Sequence, residues 1–492
     1  MYLEARRLAQ IQVPDQLLDG WELRNRTLHS DGTSKHGYHY ATFDVTLDDG
    51  NVMVAGLRDM ACGDAESQLE LLKEVLGDIT SSLEEENADK KVMKSIKNLM
   101  SDRCIVQKKF NEILQKYRQS ILPEVVEEWD ILDDDEKSKV ERMNDLFCGL
   151  HYIVGLADQA EEALKIWDKL LYDNTKVGSL CQGGYSKGES GTLRLLRTVC
   201  KAVQAKGCER SGRAVSFADY VREKGVELIP LAPFLGNRFN IIFHNGGGVF
   251  YLHEHLRPSF DMMKDENKLL KAVHYDLEVS SFLAGCRALG LINKFITGPL
   301  WRVLEKEERL LECFEEWAQD STPVLTGEAV VFDDVKLKKD VCYEKLIDED
   351  PTWDPMTKQV LELIFGSFVV VTKRMLSDHL EGGKYDKPNA EMQDECKNAP
   401  KTNVVPERDF GMLDRLIAQK PNATTLVFEG ILMFTKNGSK GWRDLLPPEK
   451  RAAVMEMARN SKSSQRQQFI ERKATIRKKR EEKLEKGKQE KE

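Results

Sequence analysis

Residues 21–47 read WELRNRTLHSDGTSKHGYHYATFDVTL, and this stretch decides the fold of the chain. We expect a first strand over residues 21–30 and a second over residues 38–47, where the alternation places Phe43, Val45 and Leu47 on one face. The turn Asp48-Asp49-Gly50-Asn51 then leads into an apolar run over residues 52–57. A hairpin is the natural interpretation, and it predicts three antiparallel strands.

Helical periodicity follows these strands. An apolar residue recurs every three or four positions from Leu69 to Leu83, which predicts an amphipathic helix. A short strand over residues 95–100 ends at Ser101-Asp102, and a second amphipathic helix carries Val106, Phe110, Ile113, Tyr117 and Ile121. The order is therefore strand, strand, strand, helix, strand, helix. The RNase H fold uses this order, so we predict an α/β protein with an RNase H-like mixed sheet.

Asp31 and Asp102 are the candidate catalytic residues of this arrangement. The fold carries one acidic residue on its first strand and another at the end of its fourth, and these strands are neighbours in the sheet. Two such carboxylates can hold the pair of Mg²⁺ (or Mn²⁺) ions that in-line cleavage of a phosphodiester needs. The alternative is that each is an ordinary turn or capping residue, since aspartate is common in turns.

The two acidic stretches also resemble a known family. Leu28-His29-Ser30-Asp31-Gly32-Thr33-Ser34 and Leu99-Met100-Ser101-Asp102-Arg103 are similar to the first two acidic motifs of hAT-type and related eukaryotic cut-and-paste transposases. The resemblance implies a DDE enzyme that binds DNA, cleaves it and transfers strands with Mg²⁺. It also implies a large all-helical insertion within the core.

Later motifs extend the resemblance. Cys148-Gly149-Leu150-His151 resembles the C-x-x-H element that opens the helical insertion, and Gly236-Asn237-Arg238-Phe239-Asn240 resembles the Arg-aromatic motif, with Phe239 where Trp is usual. Asp276-Leu277-Glu278 lies where the last catalytic Glu would return the chain to the core. The resemblance thus implies Glu278 as the third metal ligand, with Asp276 as the alternative.

Two further binding roles follow from these motifs. Cys148 and His151 have the spacing of a two-ligand Zn²⁺ clip on one helix face, and His253 and His255 are the candidate distant pair. The alternative is a buried thiol with core or solvated histidines. Arg238 would bind DNA phosphate while Phe239 stacks on an extruded base; otherwise Phe239 is a core residue and Arg238 pairs with an acid.

The predicted organisation of the chain has six parts. They are a helical lead-in (1–20), the first part of the core (21–130), a helical insertion (131–260), a return to the core with the last acidic residue (261–330), a helical C-terminal region (331–450) and a basic tail (451–492). The tail holds 14 Lys and Arg against 7 Glu in a chain of net charge −9. We expect a separate module that is solvated, contacts nucleic-acid phosphate or directs nuclear import.

Composition excludes several classes of protein. The apolar runs fall short of the roughly 20 residues of a membrane span, and the N-terminus lacks an apolar signal region, so we expect a nuclear or cytoplasmic protein without a membrane. No glycine-rich loop carries the spaced Gly-Lys-Ser/Thr of a nucleotide site, so no nucleotide cofactor is expected. The resembling transposases begin with a zinc-binding DNA-recognition module, for which residues 1–20 leave no room.

Two functions therefore remain from the sequence. The first is an active Mg²⁺-dependent transposase; the second is a domesticated, transposase-derived scaffold that binds DNA or protein without catalysis. Because two transposon ends are cut together, we expect a homodimer or larger assembly. The apolar segment over residues 361–371 is the expected interface.

Overall fold

The fold is described from a computed structural model. It describes residues 1–17, 25–47, 49–102, 104–173, 175–184, 186–204, 209, 212–234, 236, 240–263, 267–300, 307–332 and 336–489. The chain forms two compact units. The first combines Met1–Gly149 with Pro388–Glu492, and the second is Leu150–Lys387.

The first unit contains all five described strands, and they lie in its N-terminal part. Its elements in chain order are α1 (Tyr2–Leu17), β1 (Arg26–Lys35), β2 (Tyr38–Thr46), β3 (Val52–Met60), α2 (Ala65–Thr80), α3 (Ala88–Ser95), β4 (Ile96–Ser101), α4 (Ile105–Val125), α5 (Asp134–Glu141) and β5 (Asn144–Phe147). The predicted order of three strands, helix, strand and helix is confirmed, with the short α3 added before β4.

The first strand differs from its predicted bounds. It continues through Asp31 to Lys35 instead of ending at Ser30, and Asp31 pairs with Thr42 of β2. The reversal occurs at His36 and Gly37, which both have positive φ angles of 50° and 78°. A two-residue turn with positive φ at both positions matches the twist of antiparallel strands. The chain therefore reverses at His36-Gly37, and β1 continues past Asp31-Gly32.

The strands form one mixed sheet with the order β3-β2-β1-β4-β5. The pairs β1–β2 and β2–β3 are antiparallel, whereas β1–β4 and β4–β5 are parallel. The predicted mixed α/β fold is confirmed at this level. Because β1 is central, residues near its carboxyl end lie between two neighbouring strands.

The two faces of the sheet differ in polarity. Leu28, Phe43, Val45 and Leu99 alternate onto one face and join the apolar core, where Phe43 lies 6.2 Å from the ring of Phe110 on α4. The residues between them alternate onto the opposite face, which carries His29, Asp31, Thr42, Asp44 and Thr46. A buried face with this many polar groups needs polar partners from the element that covers it.

The regular elements among the described residues of the second unit are all helical, and they include a 3-10 helix, Gly178–Gln182. The α-helices are α6 (Gly149–Tyr172), α7 (Gly191–Val203), α8 (Ala214–Glu223), α9 (Ile241–Met263), α10 (Lys268–Leu277), α11 (Ser280–Ile292), α12 (Gly298–Leu300), α13 (Glu307–Trp317), α14 (Thr322–Thr326), α15 (Val341–Ile347) and α16 (Asp354–Met375). A π-helical turn, Asn293–Thr297, connects α11 to α12. The predicted all-helical insertion is present, but it spans residues 150–387 instead of 131–260.

The apolar segment over residues 361–371 lies in α16. Leu361, Ile364, Phe365 and Phe368 are fully buried, and the ring of Phe365 lies 5.3 Å from that of Trp317 on α13. The expectation that this segment is an exposed interface is therefore wrong, because the core of the second unit already covers it.

The chain returns to the first unit at Pro388, which corrects the predicted return at residues 261–330. The returning helices are α17 (Ala390–Cys396), α18 (Val404–Gln419), α19 (Thr425–Lys436), α20 (Ser439–Leu445), α21 (Pro448–Asn460) and α22 (Lys462–Gln489). The predicted C-terminal region 331–450 is thus divided between the two units.

The basic tail is part of the first unit and not a separate module. Arg472 and Lys473 of α22 bind the fully buried carboxylate of Asp59 on β3, at 3.1 and 2.5 Å. Arg480 donates to the carbonyl groups of Met60 and Ala61. The sequence did not reveal this docking because the buried acid that holds the helix lies at the end of a distant strand.

No single helix among the described residues has the length and apolar character of a membrane span. Only α10 combined with Ser280–Leu300 reaches those values, and this pair is bent by 85°.

Candidate active site on the polar face of the sheet

Asp31 and Asp102 lie side by side at the carboxyl ends of β1 and β4. These parallel strands pair His29 with Met100, and the same register continued by two residues places Asp102 level with Asp31. Asp102 follows the last residue of β4, and its Oδ1 accepts a hydrogen bond of 3.3 Å from the backbone of Cys104 at the start of α4. The predicted proximity of these two acids agrees with this register.

The environment of Asp31 favours its neutral form. Burial and, to a smaller extent, the nearby carboxylates of Asp102 and Glu407 together raise the pKa of its carboxyl to about 8, against a backbone hydrogen bond of 2.7 Å from Gly32. No cation among the described residues forms an ion pair with Asp31. Three acids with one strongly perturbed pKa and no compensating charge are typical of a functional site.

Glu407 is the acid that the sequence interpretation missed. It lies in the first turn of α18, which packs against β1 and β2. In the sequence, Glu407 can be recognised only as an acid that follows Pro406 in the first turn of an amphipathic helix. Phe410, Leu413 and Leu416 of this helix face the core. That signal is common to many helices, so only the tertiary contact singles the residue out.

The predicted third acids, Glu278 and Asp276, both lie in the second unit and have partners there. Asp276 is fully buried, and Arg194 donates to both of its oxygens at 2.9 and 2.8 Å while Ser179 donates two more hydrogen bonds. Glu278 caps α10 and forms an ion pair of 3.1 Å with Arg257. Asp276 is thus a structural acid of the second unit, and a metal-binding role for Glu278 stays a prediction.

A second pair of acids lies on the same polar face. Asp44 of β2 and Asp409 of α18 are both fully buried. Burial and the neighbouring carboxyl of Asp409 raise the pKa of Asp44 well above its usual range. Thr42 donates to Asp409 at 3.3 Å, and Lys436 lies 3.4 Å from it. This pair joins α18 to β2 two residues beyond Glu407.

Cys148 and His253, two of the predicted zinc ligands, have other contacts in the structure. Cys148 precedes α6, is fully buried and accepts a hydrogen bond of 3.1 Å from the backbone of Asn403. His253 and His255 are two residues apart on α9 and therefore point to different sides of that helix. His253 stacks on Phe250, and burial lowers its pKa. These contacts correct the expectation that the two histidines act as one pair.

The other predicted site residues are His151, Arg238 and Phe239. His151 lies in the first turn of α6, and its Nδ1 is buried without a hydrogen-bond partner in the described part of the chain. Arg238 and Phe239 lie outside the described residues. Among the residues that the structure describes, no three His, Cys, Asp or Glu side chains are arranged to ligate one metal ion. Asp31, Asp102 and Glu407 are thus close enough to interact electrostatically, but they are not arranged as the ligands of a single metal ion.

Comparison with known proteins adds no assignment: no protein-family model matches this chain, and no curated protein matches it.

Proposed function

We propose that the first unit is an RNase H-like core and that the protein is a transposase-like protein of DNA rearrangement. The activity is metal-dependent cleavage and strand transfer at DNA phosphodiester bonds. The support is the mixed sheet of order β3-β2-β1-β4-β5 and the element order that precedes the helical unit. The helical unit then corresponds to the insertion expected from the resemblance to hAT-type transposases.

One observation carries the proposal: Asp102 directly follows β4 and is level with Asp31 on the adjacent parallel strand β1 when the register is continued, and Glu407 lies close enough to raise the pKa of Asp31. Carboxylate oxygens are the ligands that Mg²⁺ and Mn²⁺ prefer, and a divalent cation supplies the charge that this group of acids lacks. Bound there, the metal would activate the attacking hydroxyl and stabilise the leaving oxygen. We therefore assign the third position to Glu407 in preference to Glu278.

The test is nicking of supercoiled DNA by the purified full chain. We expect nicking in Mg²⁺ or Mn²⁺ and none in Ca²⁺, whose looser coordination positions the nucleophile poorly. Asp102→Asn should abolish cleavage and retain DNA binding, because it removes a ligand charge that also repels phosphate. Nicking that persists in Asp102→Asn would reject this site.

A matched pair of variants separates the candidates for the third ligand. Glu407→Gln should abolish nicking, whereas Asp414→Asn, two turns further along α18, should retain it because Asp414 is exposed and pairs with Lys35. Glu278→Gln should also retain activity. Loss of nicking in Glu278→Gln, with activity kept in Glu407→Gln, would restore the assignment made from the sequence.

The second candidate function is a transposase-derived scaffold that binds DNA or protein without catalysis. The observation that favours it is the looseness of the acidic group, which does not form a single-metal site among the described residues. Wild-type protein that binds DNA and fails to nick any substrate in Mg²⁺ and Mn²⁺ would establish this function instead.

The proposed enzyme would act in the nucleus, where its DNA substrate lies. It would also form an assembly, because joining two DNA ends requires two active sites. Sedimentation of the protein at micromolar concentration, with and without DNA, tests this. A homodimer or larger species is expected, and a strict monomer in both conditions would contradict it.

A further inference from the structure

The second unit contains a cavity of 360 Å³ that the proposed function does not use. Its walls are the extended segment over residues 228–231, His244 of α9, the π-helical turn and the segment over residues 336–342. Ligand sites of small molecules start at about 300 Å³, so the cavity has the size of a site for a phosphorylated metabolite or one nucleotide.

Lysines give this cavity a surplus of positive charge. Lys294 Nζ lies 2.6 Å from Asp340, and Lys338 Nζ lies 3.8 Å from the same carboxylate. Asp340 also accepts a hydrogen bond of 3.0 Å from the backbone of Tyr343, where it caps α15. Lys336 also lines the cavity, and in the described part of the chain it forms no ion pair with an acid. Among the described residues that line the cavity, one carboxylate therefore accompanies three ammonium groups.

His244 reports the electrostatic potential of the cavity. Burial lowers the pKa of its imidazole, and the positive charges of Lys294 and Lys338 lower it further, against the opposing effect of Asp340. The two lysines affect the pKa of His244 because their ammonium groups lie close to its ring. A bound anion would reverse this effect and would gain a hydrogen-bond donor from the imidazole.

The π-helical turn fixes the position of the most buried lysine. Lys294 is its second residue, and its side chain is only 11% exposed. Asn240 donates to Asn293 at 2.7 Å, and Thr297 donates to Asn240 at 2.5 Å, so both ends of the turn are tied to the start of α9. Single π turns inside helices often mark functional sites, because they turn side chains away from the regular helical position.

Part of the cavity lining is apolar. Residues 228–231 read Leu-Ile-Pro-Leu, and the side chain of Leu228 is 64% exposed. A ligand that places an anionic group against the lysines would place its uncharged part against this wall. The combination of cationic and apolar walls matches a phosphate ester better than an inorganic anion alone.

We infer that this cavity binds the phosphate group of a phosphate ester, held by Lys294, Lys336, Lys338 and His244, with the organic part against residues 228–231. The phosphate comes from a free phosphorylated small molecule or from a nucleic-acid backbone. The inference does not depend on the acidic group of the first unit.

The experiment measures binding to the full chain in EDTA, which removes metal-dependent binding elsewhere. The probes are inorganic phosphate, deoxyadenosine monophosphate and a short single-stranded oligonucleotide. The double variant Lys336→Gln/Lys338→Gln should weaken binding of the probe by about tenfold or more, since each lysine contributes a charge-assisted contact. Its folding should be intact because both side chains are exposed at the surface.

Lys339→Gln is the matched control. Lys339 lies between the cavity lysine Lys338 and Asp340 in the chain but faces the ring of Tyr343 and does not line the cavity. Its affinity for the probes should stay within about twofold of wild type, because bulk charge contributes little at a confined site.

The outcomes identify the source of the phosphate. Binding of the mononucleotide that the double variant loses indicates a small phosphorylated ligand. Binding of the oligonucleotide alone, with the same loss, indicates a nucleic-acid phosphate. The inference is overturned if wild-type protein binds none of the probes at millimolar concentration, or if Lys339→Gln lowers affinity as much as the double variant.

Discussion

His29 and Asn403 share a hydrogen bond of 3.2 Å between Nδ1 and Oδ1, and both side chains are fully buried. Asn403 Nδ2 donates to the carbonyl of Ser30 at 3.0 Å, so its Oδ1 is the acceptor for His29. The hydroxyl of Thr46 then donates to His29 Nε2 at 2.8 Å. These bonds fix the neutral imidazole with its proton on Nδ1.

This hydrogen bond connects the two segments that build the candidate active site. His29 and Ser30 directly precede Asp31 on β1, and Asn403 immediately precedes α18, which carries Glu407 one turn later. The position of Glu407 relative to Asp31 therefore depends on Asn403, a residue that touches neither carboxylate.

Removal of this connection should destabilise the first unit. Asn403→Ala leaves the Ser30 carbonyl and His29 Nδ1 buried without their partner, so we expect a loss of about 1–3 kcal/mol in the free energy of unfolding. Urea denaturation measures it. Asn422→Ala, at an exposed position outside α18 and α19, should stay within about 0.5 kcal/mol of wild type. Equal stability of the two variants would contradict the structural role.

His29 should make the protein less stable in mild acid. Burial lowers its pKa from 6.5 to about 4, so the folded state keeps the imidazole neutral while the unfolded state gains a proton as the pH falls below 6.5. The contribution of His29 is thus present above pH 6.5 and is lost toward pH 4, with a decrease of about 2 kcal/mol between pH 7 and pH 5.

The measurement compares urea denaturation at pH 7 and pH 5 for wild type and His29→Asn. The variant should lose less stability between these two pH values, whatever its stability at pH 7. His36→Asn, at an exposed turn position that tolerates positive φ, should keep the wild-type dependence. A His29→Asn protein with an unchanged pH dependence would show that another group is responsible.

Asp44 should have the opposite pH dependence. Its folded-state pKa lies well above 3.8, so folding takes up a proton, and the stability that the neutral carboxyl contributes is lost as the pH rises above 3.8. Asp44→Asn keeps the neutral form at all pH values. We expect the variant to gain on wild type as the pH increases from 5 to 8, by at most about 1.4 kcal/mol for each pH unit.

Thermal or urea denaturation across this range tests the expectation, with the exposed Asp130→Asn as the control variant. The control should follow wild type at every pH. If Asp44→Asn is the less stable protein throughout and the difference does not change with pH, then Asp44 is ionised in the folded state and the interpretation fails.

Docking of the C-terminal helix should depend on Asp59. Arg472 and Lys473 lower the pKa of this buried carboxyl against the effect of burial, so it is ionised and attracts α22. Asp59→Asn removes the charge and should cost about 1.5–3 kcal/mol, the range for hydrogen bonds to charged groups. Hydrogen exchange along residues 462–489 should become faster because the helix undocks more often.

Glu481→Gln is the matched control for α22, because among the described residues Glu481 pairs with Arg477 of the same helix and with no residue of the sheet. Exchange in this variant should remain close to that of wild type, since exposed pairs within a helix contribute only about 0.3–0.5 kcal/mol. If hydrogen exchange in Asp59→Asn is unchanged, then the buried side chain of Ile476 and the ion pairs of α22 with Glu74, Glu70 and Asp64 are sufficient to hold this helix.

The sequence by itself determined the local elements of the first unit. Alternating and three-to-four-residue apolar spacing is a local property, so it predicted the strands, α2, β4 and α4, and with them the adjacency of Asp31 and Asp102. The resemblance to hAT-type transposases also implied a helical insertion, but over residues 131–260, whereas the helical unit spans residues 150–387.

Only the tertiary structure decided which distant segments complete the polar face and the tail. Glu407, Asn403 and Asp409 reach the sheet after a complete second unit, and nothing local distinguishes them from capping or surface residues. The resemblance implied Glu278 as the third acid, and the structure places Glu278 in the second unit, because the position of a motif cannot show where the chain re-enters the first unit. Asp59 likewise becomes the anchor of α22 only through its burial. The burial of these polar side chains and their hydrogen bonds depend on residues hundreds of positions apart in the chain. Local sequence patterns therefore cannot show them.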